Sequence, residues 1–164
     1  MRVVIQRVRR ACVDVDGETV SSIDTGMLVL VGVARGDTDE DVMYIANKVA
    51  HLRVFNDDDG RLNSSVKELD GEVLLVSQFT LLADTRRGRR PSFGAAEEPG
   101  IAALRMENLE RALVALGIRV RSGQFQANMD VTLVNWGPVT IVIDSKEKEQ
   151  PRRQKTSNFS DGVA

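Results

Sequence analysis

Met27-Leu28-Val29-Leu30-Val31-Gly32-Val33-Ala34 is apolar at nearly every position. A strand with one wet face alternates apolar and polar residues. An unbroken apolar run reads instead as a central strand covered on both faces. The segments around it place the remaining elements. Val3 to Val8 predicts an opening strand. Val13 to Val15 and Thr19 to Ile23 flank Asp16-Gly17 and predict a hairpin, because Asp-Gly suits the tight turn between right-twisted strands. After the central run, Asp37 and Thr38 offer helix N-caps, and Val42, Ile45, Ala46 and Val49 recur at helical spacing, giving a helix near 39–51. Arg53-Val54-Phe55 reads as a short strand and Glu72 to Gln78 as a stronger one. Residues 84–100 read as a loop. A second helix starts at Pro99 and stops at Gly117. Its expected buried stripe is Ile101, Leu104 or Arg105, Leu109, Ala112, Leu113 and Leu116. Val131 to Trp136 and Val139 to Asp144 are the last two strands. Strands outnumber helices without regular βα alternation. The class is therefore α+β: one domain, mixed and mostly antiparallel sheet, two main helices packed outside. Residues 1–145 make the domain, and 146–164 read as a polar, mobile tail with little to bury.

Composition narrows the chemistry. The chain has 164 residues, 42% hydrophobic and 28% charged, with a formal net charge of -2. That is an ordinary globular composition, and an anionic partner must be met by a local basic patch. One cysteine, Cys12, leaves no internal disulfide, which fits a reducing cytosol. One histidine, His51, cannot build a four-ligand zinc site, and any Ser-His or Cys-His device must use it. His51 falls away from the apolar stripe of its helix and reads as solvent-facing. Asn56 to Gly60 fails the calcium-loop pattern and reads as a turn. No phosphate-cradling glycine motif, signal peptide or membrane span is present. No metal and no cofactor are expected.

Three segments remain. Ser77-Gln78-Phe79-Thr80-Leu81 ends an apolar strand in a polar cluster, which is either an ordinary edge or a rigidly presented site. Asn135-Trp136-Gly137-Pro138-Val139-Thr140 interrupts two β runs with Gly-Pro. Proline cannot donate to a ladder, so the chain kinks, bulges or turns there, and a cis bond is open to it. Arg86-Arg87-Gly88-Arg89-Arg90 is either solvated surface or a phosphate-seeking loop. Of only seven aromatics, Phe79, Phe93, Phe125 and Trp136 lie in or beside these segments, where stacking on bases is possible.

Together these residues resemble the D-aminoacyl-tRNA deacylase family. Ser77-Gln78-Phe79-Thr80 and Asn135-Trp136-Gly137-Pro138 match its Ser-Gln-x-Thr and Asn-x-Gly-Pro signatures. Gln6-Arg7-Val8, Arg90-Pro91-Ser92-Phe93 and Phe125-x-Ala127-x-Met129 support the match over residues 1 to about 144. The resemblance implies a cytoplasmic homodimer, β-rich at its core, with active sites at the interface. Each subunit lends its Gly-Pro motif to the other. The implied reaction is hydrolysis of the ester between a D-amino acid and tRNA, with glycine on mischarged tRNA also cleared. Ser77, Gln78, Phe79 and Thr80 are then the catalytic segment, and Asn135, Gly137, Pro138 and Thr140 the selecting segment. Arg7 becomes a brace for that motif. Phe79, Phe125 and Met129 become an adenosine pocket, and Arg86, Arg87, Arg89 and Arg90 become phosphate contacts. Thr80 lacks an evident base, so water placed by the substrate's own 2′-hydroxyl is preferred, with backbone amides near Phe79 and Thr80 stabilising the oxyanion. Carbonyls of Gly137 and Pro138 anchor the α-amino group where an L side chain would project. The alternative is a non-catalytic nucleic-acid binder using the arginine loop. Trp136 fills the variable position of the second motif, so its bulk bears on how that loop is seated.

Overall fold

The computed structural model describes residues 1–149. The apolar run becomes β3 (Gly26–Gly32), flanked on one side by β1 (Arg2–Val15) and on the other by β6 (Glu72–Ser77). It pairs antiparallel with β1 and parallel with β6, and Met27, Leu28, Val29 and Val31 are all buried. The hairpin partner is β2 (Glu18–Ile23), reached through Asp16 and Gly17 at φ 50° and 83°, as the tight turn requires. The small pair β4 (Phe55–Asn56) and β5 (Leu62–Ser64) stands apart from the main sheet. β7 (Arg119–Ser122) extends that sheet beyond β6, in parallel, and β8 (Asp130–Asp144) pairs antiparallel with β1. Gly26 faces Glu72 so closely that a Cβ there would lie 1.9 Å from the Glu72 carbonyl oxygen.

Two apolar clusters fill the fold. Val3, Ile5, Met27, Val29 and Val31 meet α1 (Asp39–His51) and α2 (Pro99–Ala115) on one face of the sheet. Leu28, Leu74 and Val76 meet Val8, Ala11, Val13 and Ile23 on the other, where the sheet curls almost into a barrel. β1 serves both clusters because it is bulged. Val8 pairs with Asn135 and Ala11 with Leu133, so β1 carries one extra residue there, which resets the alternation of its side chains.

The structure corrects several expectations. Val3–Val8 and Val13–Val15 are one continuous strand, because the bulge at Arg9 and Arg10 bends the ladder without ending it. Val131–Trp136 and Val139–Asp144 are likewise one strand, β8. Ile101 and Leu104 are about half exposed. Leu109, Ala112, Leu113 and Leu116 do face the core as expected, but in the first turns of α2 the inward positions are Ala102 and Met106, with Arg105 partly buried. The strand expected at residues 53–55 begins only at Phe55. Packing also extends past residue 145. Ser145–Glu149 form a 3-10 turn in which Ser145 is buried against Met1, and Lys148 Nζ lies 3.1 Å from Asp41 Oδ1 on α1. The rest of the expected tail lies outside the described residues.

Candidate functional site

β6 delivers the first motif. Its last residue is Ser77, Gln78 N donates to Val31 O of β3 (2.7 Å), and the chain then coils into a 3-10 turn, Phe79–Leu82. The amides of Phe79 and Thr80 open that turn, and among the described residues neither donates to any acceptor. Two such orphan donors side by side are what an oxyanion requires. The Thr80 hydroxyl accepts a hydrogen bond from Gln78 Nε2. No histidine or carboxylate is bonded to it among the described residues.

Beside this turn lies a cavity of about 570 Å³. Ser77, Gln78 and Phe79 line it from β6 and the turn, Phe125 and Met129 from the segment before β8, and Ala102 and Met106 from α2. The structure therefore brings five of the expected residues, Ser77, Gln78, Phe79, Phe125 and Met129, to one apolar hollow. Phe79 is 56% exposed, and its ring meets Phe93 edge-on at 4.9 Å. Phe93 follows the arginine loop, so the loop is tied to the cavity mouth. That loop is closed by paired backbone bonds between Asp84 and Ser92. Arg86 is engaged by Asp84, whose carboxyl is held well below the usual carboxylate range chiefly by the Arg86 side chain. Arg87, Arg89 and Arg90 are exposed and have no carboxylate partner among the described residues.

The second motif is elsewhere. None of Asn135–Thr140 lines the cavity. Gln6 pairs with Thr140 and Val8 with Asn135, so Trp136–Val139 bulge out opposite the single residue Arg7. The Gly137–Pro138 peptide is cis, and Gly137 has φ 128°. Asn135 closes the neck of the bulge: its Oδ1 accepts from Val139 N (3.0 Å) and its Nδ2 donates to Thr140 Oγ1 (2.9 Å). Arg7 lies beneath, 4% exposed. Its Nε donates to Trp136 O (2.8 Å), and its Nη1 to Val54 O (2.7 Å) and Asn56 Oδ1 (3.0 Å). Burial, and then the charge of Arg9, push the Arg7 guanidinium below its ordinary value. Sequence reasoning missed Val54 and Asn56, which carry no signal in a turn rich in Asp, and missed the α2 wall of the cavity. Among the described residues no three His, Cys, Asp or Glu side chains converge as a metal would require, and no helix is long and apolar enough to cross a membrane.

Comparison with known proteins gives the family. Residues 4–144 match the family described as D-Tyr-tRNA(Tyr) deacylase. The D-aminoacyl-tRNA deacylase of Halalkalibacterium halodurans is 50% identical over 146 residues, covering 89% of this chain and 100% of its own. That of Geobacillus sp. is 53% identical over 148 residues, covering 90% and 97%. A solved structure described as c-Myc DNA Unwinding Element Binding Protein superposes with a TM-score of 0.83 at 36% identity, over 88% of this chain and 98% of its own. A second, a probable eukaryotic D-amino acid tRNA deacylase, shares the fold with a TM-score of 0.76 at 18% identity, over 87% and 97%. The chain belongs to the D-aminoacyl-tRNA deacylase family.

Proposed function

We propose that this chain hydrolyses the ester of D-aminoacyl-tRNA as a homodimer in which Gly137-Pro138 of one subunit completes the cavity of the other. D-aminoacyl-tRNA deacylation is the activity named for its relatives at about half identity. One observation carries the dimer: the orphan amides and the cavity lie on one side of the chain, and the Gly-Pro bulge that would select substrate is not among their neighbours. The bulge belongs to β8, an edge strand with Val134 and Val142 left 37% and 62% exposed, as a surface awaiting a second copy would be.

The chemistry needs little from side chains. The ester carbonyl sits at the Phe79 and Thr80 amides, which stabilise the developing oxyanion. Water is placed by the substrate's 2′-hydroxyl, because among the described residues no base is bonded to the Thr80 hydroxyl. Adenine occupies the hollow of Phe79, Phe125 and Met129, and Arg87, Arg89 and Arg90 take acceptor-end phosphates. D and L esters share every functional group, so only shape separates them. The main-chain carbonyls of Gly137 and Pro138 hold the α-amino group and block an L side chain. Glycine has no side chain to exclude, so mischarged glycyl-tRNA is a substrate too. A cytoplasmic location follows from a substrate used in translation.

Complementation between subunits tests this. Met129→Trp fills the cavity and Gly137→Ala disturbs the bulge. Each variant alone is expected to be nearly inactive on D-tyrosyl-tRNA, and the mixed pair regains activity after subunit exchange. A fully active monomer at micromolar concentration refutes the shared site. Wild-type protein with salt-dependent tRNA binding and no turnover refutes the enzyme.

A further inference from the structure

Trp136 stands at the one position of the second motif to which the reaction assigns no task, yet it is tightly held. The guanidinium carbon of Arg7 lies 4.7 Å from the centre of its ring, and that of Arg9 lies 4.4 Å away. Its ring packs edge-to-face with that of Phe55, a fully buried core residue, the ring centres 6.3 Å apart. Its own carbonyl accepts from Arg7 Nε. Arg7 thus grips Trp136 twice, by ring and by backbone.

The charges around it explain why an aromatic suits this place. Among the described residues neither Arg7 nor Arg9 has a carboxylate partner. Arg7 bonds only to neutral oxygens, and burial and then the charge of Arg9 push its guanidinium below its ordinary value. The faces of an indole carry negative potential, and a guanidinium is drawn to them most strongly when partly desolvated. One ring shared by two guanidinium groups offsets their repulsion and holds all three groups in one geometry. An aliphatic side chain of similar size would fill the volume without doing so.

We propose that Trp136 is a positioning residue for the deacylation reaction, its indole clamped by Arg7, Arg9 and Phe55 so that the adjoining Gly137-Pro138 segment is presented at a fixed angle. The mechanical link is short. The indole and the carbonyl accepting from Arg7 belong to one residue, and the next residue is Gly137. A ring free to turn lets the Trp136–Gly137 peptide turn with it. Because binding of the tRNA body depends on other residues, the effect falls on kcat and on discrimination between D and L esters, and much less on KM.

This inference rests on the proposed function, and the test separates the two. Trp136→Phe, Trp136→Leu and Arg9→Gln are compared with wild type for kcat and KM on D-tyrosyl-tRNA and L-tyrosyl-tRNA, alongside thermal melting. Wild type without D-ester turnover sinks the proposed function itself. Given turnover, Trp136→Leu is expected to lose kcat on the D-ester by roughly thirty-fold, the scale of a desolvated cation–π contact, and to narrow the D-over-L ratio. Trp136→Phe keeps a ring and is expected to recover most of both. Arg9→Gln, at an exposed position, gives a smaller loss in the same direction without disturbing folding. Wild-type kcat and selectivity in Trp136→Leu overturn the inference. So does a Trp136→Phe enzyme as damaged as Trp136→Leu, because volume alone would then matter. If Trp136→Leu fails to fold, Arg9→Gln decides: unchanged kcat and selectivity there overturn the inference.

Discussion

Adding one methyl group at Gly137 tests the brace and the selecting loop together. Its φ of 128° is a conformation that L side chains rarely adopt, and a Cβ there would lie 2.6 Å from Arg7 Nη2 and 3.0 Å from Val139 Cγ2. A clash with the far end of a long side chain is often relieved by a small swing. Arg7 has no such freedom, being 4% exposed and bonded to Trp136 O, Val54 O and Asn56 Oδ1. Relief therefore breaks one of these charged hydrogen bonds, at about 1.5–3 kcal/mol, or moves the loop. The backbone adds about 1–3 kcal/mol. Taking about 3 kcal/mol in total, the melting temperature of a chain this size falls by roughly 6–12 °C. Gly137→Ala is expected to show that fall by calorimetry and, on matched D- and L-aminoacyl-tRNA, to lose nearly all activity on the D-ester and with it the chiral preference. A variant melting within about 2 °C of wild type with unchanged preference refutes the reasoning.

Thr80→Ala is expected to retain substantial hydrolysis of D-aminoacyl-tRNA, since among the described residues no base serves the hydroxyl and the amide donors are main-chain. A folded, tRNA-binding but dead variant would show instead that Thr80 attacks. Replacing Arg87 and Arg89 by glutamine should lower the slope of log affinity against log salt for tRNA by about 1.4–1.8, while Arg86→Gln, already engaged by Asp84, changes it less. Asp41 supplies a pH signature. Burial raises its carboxyl's pKa, but the Thr38 amide, Ser145, Lys148 and the Thr38 hydroxyl outweigh burial and hold it well below its ordinary 3.8. Its folded pKa is depressed, so the stability it contributes is present above about pH 4 and is lost as pH falls further. Asp41→Asn should melt lower at neutral pH and show a flatter acid limb. An equally steep limb assigns the acid sensitivity to other groups.

Much of the fold was legible because short-range rules agreed with the tertiary outcome. The apolar run of β3, the Asp16-Gly17 turn and the helix at 39–51 each follow from local patterning. What escaped notice depends on partners distant in sequence. The ladder stays continuous through the β1 bulge and the Gly-Pro bulge because each strand bends against the other. Neither sequence alone shows that. α2 is apolar enough around its circumference that sequence does not decide between Ile101 and Ala102 as the inward residue. The site divides in the same way. The two motifs were visible as oddities, whereas Val54 and Asn56 join the Arg7 network only through a fold that brings residues nearly 50 apart together.

The pairing of β1 with β8 has a consequence for biogenesis. Arg2 faces Asp144 and Asp14 faces Asp130, so this ladder joins two strands more than a hundred residues apart in the chain. At roughly 5–20 residues per second, the ribosome needs on the order of ten seconds to make what lies between. Through that interval β1 can hold β2 and β3, but its other edge is unpaired, with Val3, Ile5, Ala11 and Val13 already committed to the interior. Such an edge templates wrong pairings. Closure by so distant a partner also makes folding slow for the chain's size. A chain made only as far as residue 130 therefore leaves that edge of β1 open to wrong partners.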